Sequence, residues 1–407
     1  MTLSYPLGGV RILGLEQYVA GPDCTLWLAN AGAEVIKIER PGVGEARRNY
    51  PPMLEDSKGN KAFGGFMIYN RYKKSLALDL QTHKGREVYK ELIKYTDVVV
   101  ENLAPKTVDK LGLGYDVLQQ INPRLIYAAM SGFGRLEEVR GVYSERPAFD
   151  PVIQAMSGIT DQIGEEGKPP PYGFPGLADL YASIVTAYSI MLALFMREKT
   201  GEGQFIDSSM YDNLVALNAM GIMTYSFKGQ VLTRGRTLTF QAPAGVYKVK
   251  DGSYVALLVA NEPLWPKFCK AIHREDLIEN PKTRTGSERF RNKDFLEPIV
   301  QDWMMERTKE QVVDILLKNG IPAGPVQNIE DLAKCPHLRA RKMFVEFDDP
   351  IAGKRVFAKN PIRMSKAKEV PPIRAPRLGE HTESVLRDLL KYDQQKIDEL
   401  RKEKIIG

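Results

Sequence analysis

Asp179 stands where a loop rich in Gly and Pro, Lys168–Gly176, gives way to an uncharged run, Leu180–Met196. The run is rich in Ala, Leu and Met, which favour helix. Arg197, Glu198, Lys199 and Gly201 close it with helix-stop signals. Asp179 therefore falls in or just before the first turn of a long, almost wholly buried helix. Two chemistries fit that position. A carboxylate there can cap the helix, satisfying free N–H groups at the positive end of its dipole. A carboxylate held beside a Gly-rich loop can also act as a nucleophile toward an activated carbonyl. Nothing local decides between them.

The elements that must position Asp179 begin at the N-terminus. Val10–Leu15 reads as a short buried strand, Asp23–Ala31 as a helix ended by Gly32, and Glu34–Glu39 as a second strand. This is a βαβ unit of about the usual size. The pattern repeats with a strand at Ser75–Leu80, a helix at His83–Tyr95 and a strand at Asp97–Glu101. A helix at Val108–Leu118, broken by Gly112 and Gly114, and a strand at Leu125–Met130 follow. Beyond the long helix, Gln204–Met210 reads as a strand and Tyr211–Tyr225 as a helix. Strands alternating with helices predict an α/β fold with a mostly parallel, doubly wound, Rossmann-like sheet. Ligands in such sheets bind at the carboxyl ends of the strands. Here those ends are Gln17–Gly21, Arg40, Leu78–Gln81 and Asn102–Ala104. Glu39 closes the second strand where dinucleotide folds place an acid, but the turn Gly14–Gly21 lacks the GxGxxG spacing. A nicotinamide enzyme is a poor fit.

A chain of 407 residues is too long for one core, so two domains are expected. The texture changes after Tyr225. Lys250-Asp-Gly252 lies between two strand-like runs as a hairpin signal. Helical segments follow near 263–272, 295–305 and 309–319, and Ile321–Val326 breaks the pattern. We expect residues 1–225 to form the large α/β domain, 226–325 a smaller α+β domain, and 326–407 a linker and return to the first. The net charge of +6 comes without a Lys/Arg block, so nucleic acid is not an expected partner. Met1–Gly9 has no basic stretch followed by an apolar one, so no secretion signal is expected, and Leu180–Met196 is slightly short for a membrane span. Cys24, Cys269 and Cys335 are widely spaced and odd in number, which argues for a reducing, cytoplasmic setting and against disulfides or zinc. Cys335-Pro-His337 lacks a partner cluster, so no metal is expected.

Taken in order, the chain resembles the family III CoA-transferases, which include formyl-CoA and carnitine CoA-transferases. The matching segments include Leu7–Leu13, Gly32–Glu39, Asn70–Leu80, Glu101-Asn102, Gln154–Gly158, Ala178-Asp179, Thr200–Gln204, Gly320–Pro325 and Leu378–Thr382. Together they span essentially the whole chain. The resemblance implies an interlocked homodimer. It also implies that Asp179 attacks the thioester of an acyl-CoA, forming an anhydride and then an aspartyl-CoA thioester, with a free carboxylic acid as acceptor and no cofactor beyond CoA. For CoA it carries over Val19, Ala20, Arg40, the backbone of Leu78, Asp79, Leu80 and Gln81, then Asn102, Leu103, Ala104 and Lys110. Arg40 and Lys110 would face phosphates; Lys110 keeps the charge but loses the fork of the Arg that the family often has there. The formyl-CoA transferases carry a run of glycines as a lid, and Arg234–Gly245 has none. A different lid, and a substrate other than formate or oxalate, is the inference.

The same fold also serves α-methylacyl-CoA racemases, which shuttle a proton between an Asp and a His. The position matching that histidine is Phe149, which cannot accept a proton and is instead placed with the CoA-binding set. Asp150 lies near a supporting acid of the transferases, or caps the next helix. A third reading is one subunit of a heteromeric CoA-transferase.

Overall fold

The computed structural model describes residues 5–234, 241–259 and 261–407. Its described residues fall into two compact units. The large one ends its first segment at Ile163 and adds Pro170–Gln230 and Arg341–Gly407; the small one comprises Gly164–Pro169 and Val231–Ala340. The expected boundaries at 226 and 326 thus lie 5 and 15 residues before the changeovers at 231 and 341. Half of the lid segment Arg234–Gly245, residues 235–240, lies outside the described residues.

The large unit is built on six parallel strands: β1 Arg11–Leu15, β2 Glu34–Glu39, β3 Lys73–Ala77, β4 Val98–Glu101, β5 Ile126–Ser131 and β6 Gln204–Ser209. Their spatial order is β3-β2-β1-β4-β5-β6. The chain turns back on itself between β1 and β4, so the carboxyl ends of those two strands flank a crevice. Alternate residues supply the two faces. Leu13, Ile36, Val99 and Tyr127 enter one core with Tyr89 and Leu386, while Ile12, Val35, Val98 and Ile126 enter another with Cys24, Ala182 and Ile190. Both faces are buried, as parallel sheets require.

The helices of this unit include α1 Ala20–Asn30, α2 Gly64–Asn70, α3 His83–Ile93, α4 Thr107–Leu111, α5 Tyr115–Ile121, α6 Asp150–Met156, α7 Leu177–Thr200, α8 Met210–Leu217 and α9 Ala219–Lys228. Gly112, at φ +65, divides α4 from α5 within the single helix expected at 108–118. The third strand stops at Ala77 rather than Leu80 because the next residues pair elsewhere. Leu78 bridges Ile406, and the Asp79 N–H donates to the Ile405 carbonyl at 2.8 Å.

The long helix departs from expectation on its outer face. Ala178, Ala182, Ser183, Thr186 and Ile190 are buried, but Tyr188 is 63% and Phe195 64% exposed. By length and composition α7 could cross a membrane. In this chain its inner side lies against α1, β5, β6 and α8. The uncharged run is one-sided burial plus an apolar outer stripe, which composition alone could not separate.

The small unit has its own core, with Trp265, Phe268, Trp303 and Leu316 among its members. An antiparallel sheet of β7 Ala244–Lys248, β8 Tyr254–Leu258 and β9 Ala323–Pro325 packs with α10 Leu264–Ala271, α11 Lys293–Met305 and α12 Lys309–Lys318. The last 67 residues add an antiparallel pair, β10 Phe344–Asp349 and β11 Gly353–Ala358, and then α13 Thr382–Leu390 and α14 Gln394–Lys402.

Candidate active site

Asp179 is the third residue of α7, and its carboxylate accepts no hydrogen bond among the described residues. The cap is Gly176, whose φ of +84 suits glycine. The acid that satisfies the helix start is Asp150. Its Oδ2 accepts from the Gly176 N–H at 2.9 Å and its Oδ1 from the Ala178 N–H at 2.7 Å. Gln154 Nε2 donates to the same carboxylate at 2.8 Å and to the Phe174 carbonyl at 2.8 Å. Asp150 begins α6, but its carboxylate caps α7 rather than its own helix. Asp179 is left free. Burial, the nearby Asp150 carboxylate and Asp23 push its pKa up to about 7, against the pull of Arg47.

One helical turn on, Ser183 Oγ donates to Asp23 Oδ2 at 2.5 Å, and Trp27 Nε1 donates to the same oxygen at 3.0 Å. Asp23 belongs to α1, directly after β1, so α7 is fastened to the carboxyl end of β1. Burial raises the Asp23 pKa. Arg47 lies over the rings of Tyr50 and Tyr69, 5.1 Å from each centroid, and its Nε donates to the Gly65 carbonyl at 2.7 Å. Tyr50 meets Tyr18 edge-on at 6.2 Å, and Tyr18 meets Phe149 at 5.8 Å. Phe149, 62% exposed, is therefore part of an aromatic wall and offers no base.

The expected CoA-binding positions gather at the strand ends. Val19 and Ala20 follow β1 and open α1. The Asn102 side chain accepts from the Gln17 N–H and donates to the Gln17 carbonyl, both at 2.8 Å, tying the loops after β1 and β4 together. Gly21 makes that approach possible: a Cβ there would lie 2.9 Å from Asn102 Oδ1. Leu103 and Ala104 follow on the same loop. The Leu103 N–H donates to Glu101, and the Leu103 carbonyl accepts from Arg135. Burial pushes Glu101 up to about 7, with Arg135 opposing. Arg40 and Lys110 are exposed and pair with no acid among the described residues. The segment Leu78–Gln81 has less to offer than its position suggested. The Leu78 N–H goes to the Glu39 carbonyl, the Asp79 N–H to Ile405 and the Gln81 N–H to Asp79 Oδ1. Of its four amides, only that of Leu80 has no acceptor among the described residues.

A model of the CoA-transferase family III matches residues 7–382. The chain belongs to that family. Like its relatives it is an enzyme of the family III CoA-transferases. It is 37% identical over 383 residues to the succinyl-CoA:mesaconate CoA-transferase of Haloarcula hispanica, covering 93% of this chain and 95% of that one. It is 32% identical over 411 residues to the succinyl-CoA--L-malate CoA-transferase beta subunit of Chloroflexus aurantiacus, covering 100% and 99%. Among solved structures it superposes on a CAIB/BAIF family protein from Brucella suis with a TM-score of 0.83 at 32% identity, over 95% of this chain and 100% of that one.

Sequence reasoning missed the buried charge network beneath this family III site. Glu16, directly after β1, has a fully buried side chain. Lys73 Nζ reaches its Oε1 at 2.6 Å, Thr25 donates to its Oε2 at 2.6 Å, and Lys37 lies 3.6 Å away. Lys37 also sits 3.4 Å from Glu45, whose other oxygen accepts the Tyr18 N–H at 2.9 Å. Tyr18 is held at φ +62, unusual for a residue with a side chain. Burial would raise Glu16, but Lys73 and Lys37 hold it below the usual carboxylate range, and burial brings Lys73 down to about 8. One signal was available: Lys37 interrupts the apolar strand Glu34–Glu39, and a lysine inside a buried strand needs an acid beside it. Among the described residues no group of three His, Cys, Asp or Glu could hold a metal ion.

Proposed function

We propose that this chain moves CoA from an acyl-CoA donor to a free carboxylic acid through covalent attachment to Asp179. The observation that carries the reading is the free carboxylate at the third position of α7, with Asp150 occupying the cap. A carboxylate Oδ attacks the thioester carbonyl, the C–S bond breaks, and CoA thiolate leaves an aspartyl anhydride. The thiolate attacks the aspartyl carbonyl, releasing the donor acid and forming an aspartyl-CoA thioester. The acceptor carboxylate reverses both steps and regenerates Asp179. No proton, metal or cofactor beyond CoA enters the balance, and each intermediate keeps an activated acyl bond. Backbone N–H groups near the start of α7 are candidates for the oxyanion.

In the same reading Val19, Ala20 and Asn102–Ala104 line the CoA path, with Arg40 and Lys110 toward its phosphates. The working form is an interlocked homodimer in the cytoplasm, a setting that three free thiols suit. The test is the intact mass of protein incubated with acyl-CoA donors. An added CoA on the wild type, absent from Asp179→Asn, supports the reading. Equal labelling of both proteins overturns it.

A further inference from the structure

The charge around Asp179 is lopsided. Asp23 and Asp150 act on it with the same sign, and Arg47 is the basic group that opposes them. The neighbouring cations have other partners. Arg48 grips Glu39 at 2.6 Å, while Lys37 and Lys73 belong to Glu16 and Glu45. Arg71 lies over Phe347 and Phe357, and its field falls on Asp23. Arg47 and Arg71 both leave their Nη groups without an acceptor among the described residues, but of the two only Arg47 is among the charges that act on Asp179. The Gly65 carbonyl and the faces of Tyr50 and Tyr69 hold the guanidinium in place. A half-buried, preoriented fork with two spare donors matches a carboxylate.

We propose that Arg47 receives the non-reacting carboxylate of a dicarboxylic acid while the other end reacts at Asp179. The inference rests on Asp179 as the attacking group. A monoacid leaves the guanidinium unanswered. A diacid brings a second negative charge, which Arg47 offsets where Asp23 and Asp150 already crowd Asp179 with charge of the same sign. Arg47 thereby selects the class of acid exchanged.

The test compares succinyl-CoA and glutaryl-CoA with the methyl half-esters of the same acyl groups, which match their length and lack the distal charge. Single-turnover formation of the Asp179–CoA adduct is followed by intact mass. The wild type is expected to favour the free acids by about 10- to 100-fold, the range of a hydrogen bond to a charged group. Arg47→Met brings the ratio to one or below, and Arg47→Lys restores part of it. The ratio within one protein sample is independent of how much of the variant folds. A wild type that treats acids and half-esters alike, or an Arg47→Met protein with an unchanged ratio, overturns the role of Arg47 and leaves Asp179 standing. No adduct from any of the four donors overturns the Asp179 reading, and this inference with it.

Discussion

A carboxylate whose pKa is pushed up to about 7 is half protonated near neutrality, and its protonated form is no nucleophile. With Asp179 as the attacking group, kcat/KM for the acyl-CoA should climb with pH through a single limb near 7 and level off above 8. A pH–rate profile flat from 5 to 8 contradicts this. The same shift has a stability consequence. The folded pKa lies above the unfolded one of about 4, so folding loses stability as pH rises from about 4 through 7. Asp179→Asn should therefore be inactive yet more stable than the wild type at pH 8, by about 1–3 kcal/mol, with the difference fading toward pH 4. Melting temperatures at the two pH values check it. Phe149 adds a negative expectation: without a second base, no α-hydrogen exchange of a 2-methylacyl-CoA should occur in D₂O, readable by NMR or mass. The helix start holding Asp179 was legible from composition. Its freedom was not, because the cap comes from Asp150, 28 residues before Ala178, and only folding brings them together.

Loops after β1 and β4 owe their shape to side chains that bond backbone. Asn102→Ala removes both bonds to Gln17 and should raise KM for acyl-CoA several-fold with a modest change in Tm. An unchanged KM would remove Asn102 from the positioning of that crevice. Glu16 lies deeper. Glu16→Ala leaves Lys73 buried without its acid, while Lys37 keeps Glu45, and stranding a buried charge in this way typically costs about 3–5 kcal/mol. Urea unfolding should show that loss; a change under about 1 kcal/mol would mean that Lys73 finds other acceptors. Strand periodicity revealed the sheet, since alternate residues serve two buried faces. It could not show that Lys37 and Lys73 converge on Glu16, because that meeting depends on the order β3-β2-β1. Nor could it show that Leu78 and Asp79 pair with the C-terminal residues.

At the level of the molecule, the outer stripe of α7 and the face of α9 expose Tyr188, Phe195, Met223, Tyr225 and Phe227. Exposed aromatic faces of this kind often mark interaction surfaces. If the homodimer forms, light scattering should return twice the chain mass of 45.8 kDa at micromolar concentration. Phe195→Glu should lower it.

The large unit also sets a schedule. Its core joins Leu13 to Ile397, Leu400 and Ile406, while the main segment of the small unit, Val231–Ala340, is inserted in the chain between. On the ribosome, synthesis proceeds from one end, and domains fold as their sequence completes. The small unit can close once Ala340 emerges. The sheet cannot: one of its faces waits for the final turns of the polypeptide, and until then Leu13, Ile36 and Leu76 lack part of their cover. Translation must therefore deliver a finished insert within an unfinished host, and the apolar strands made first are the last to be sheltered.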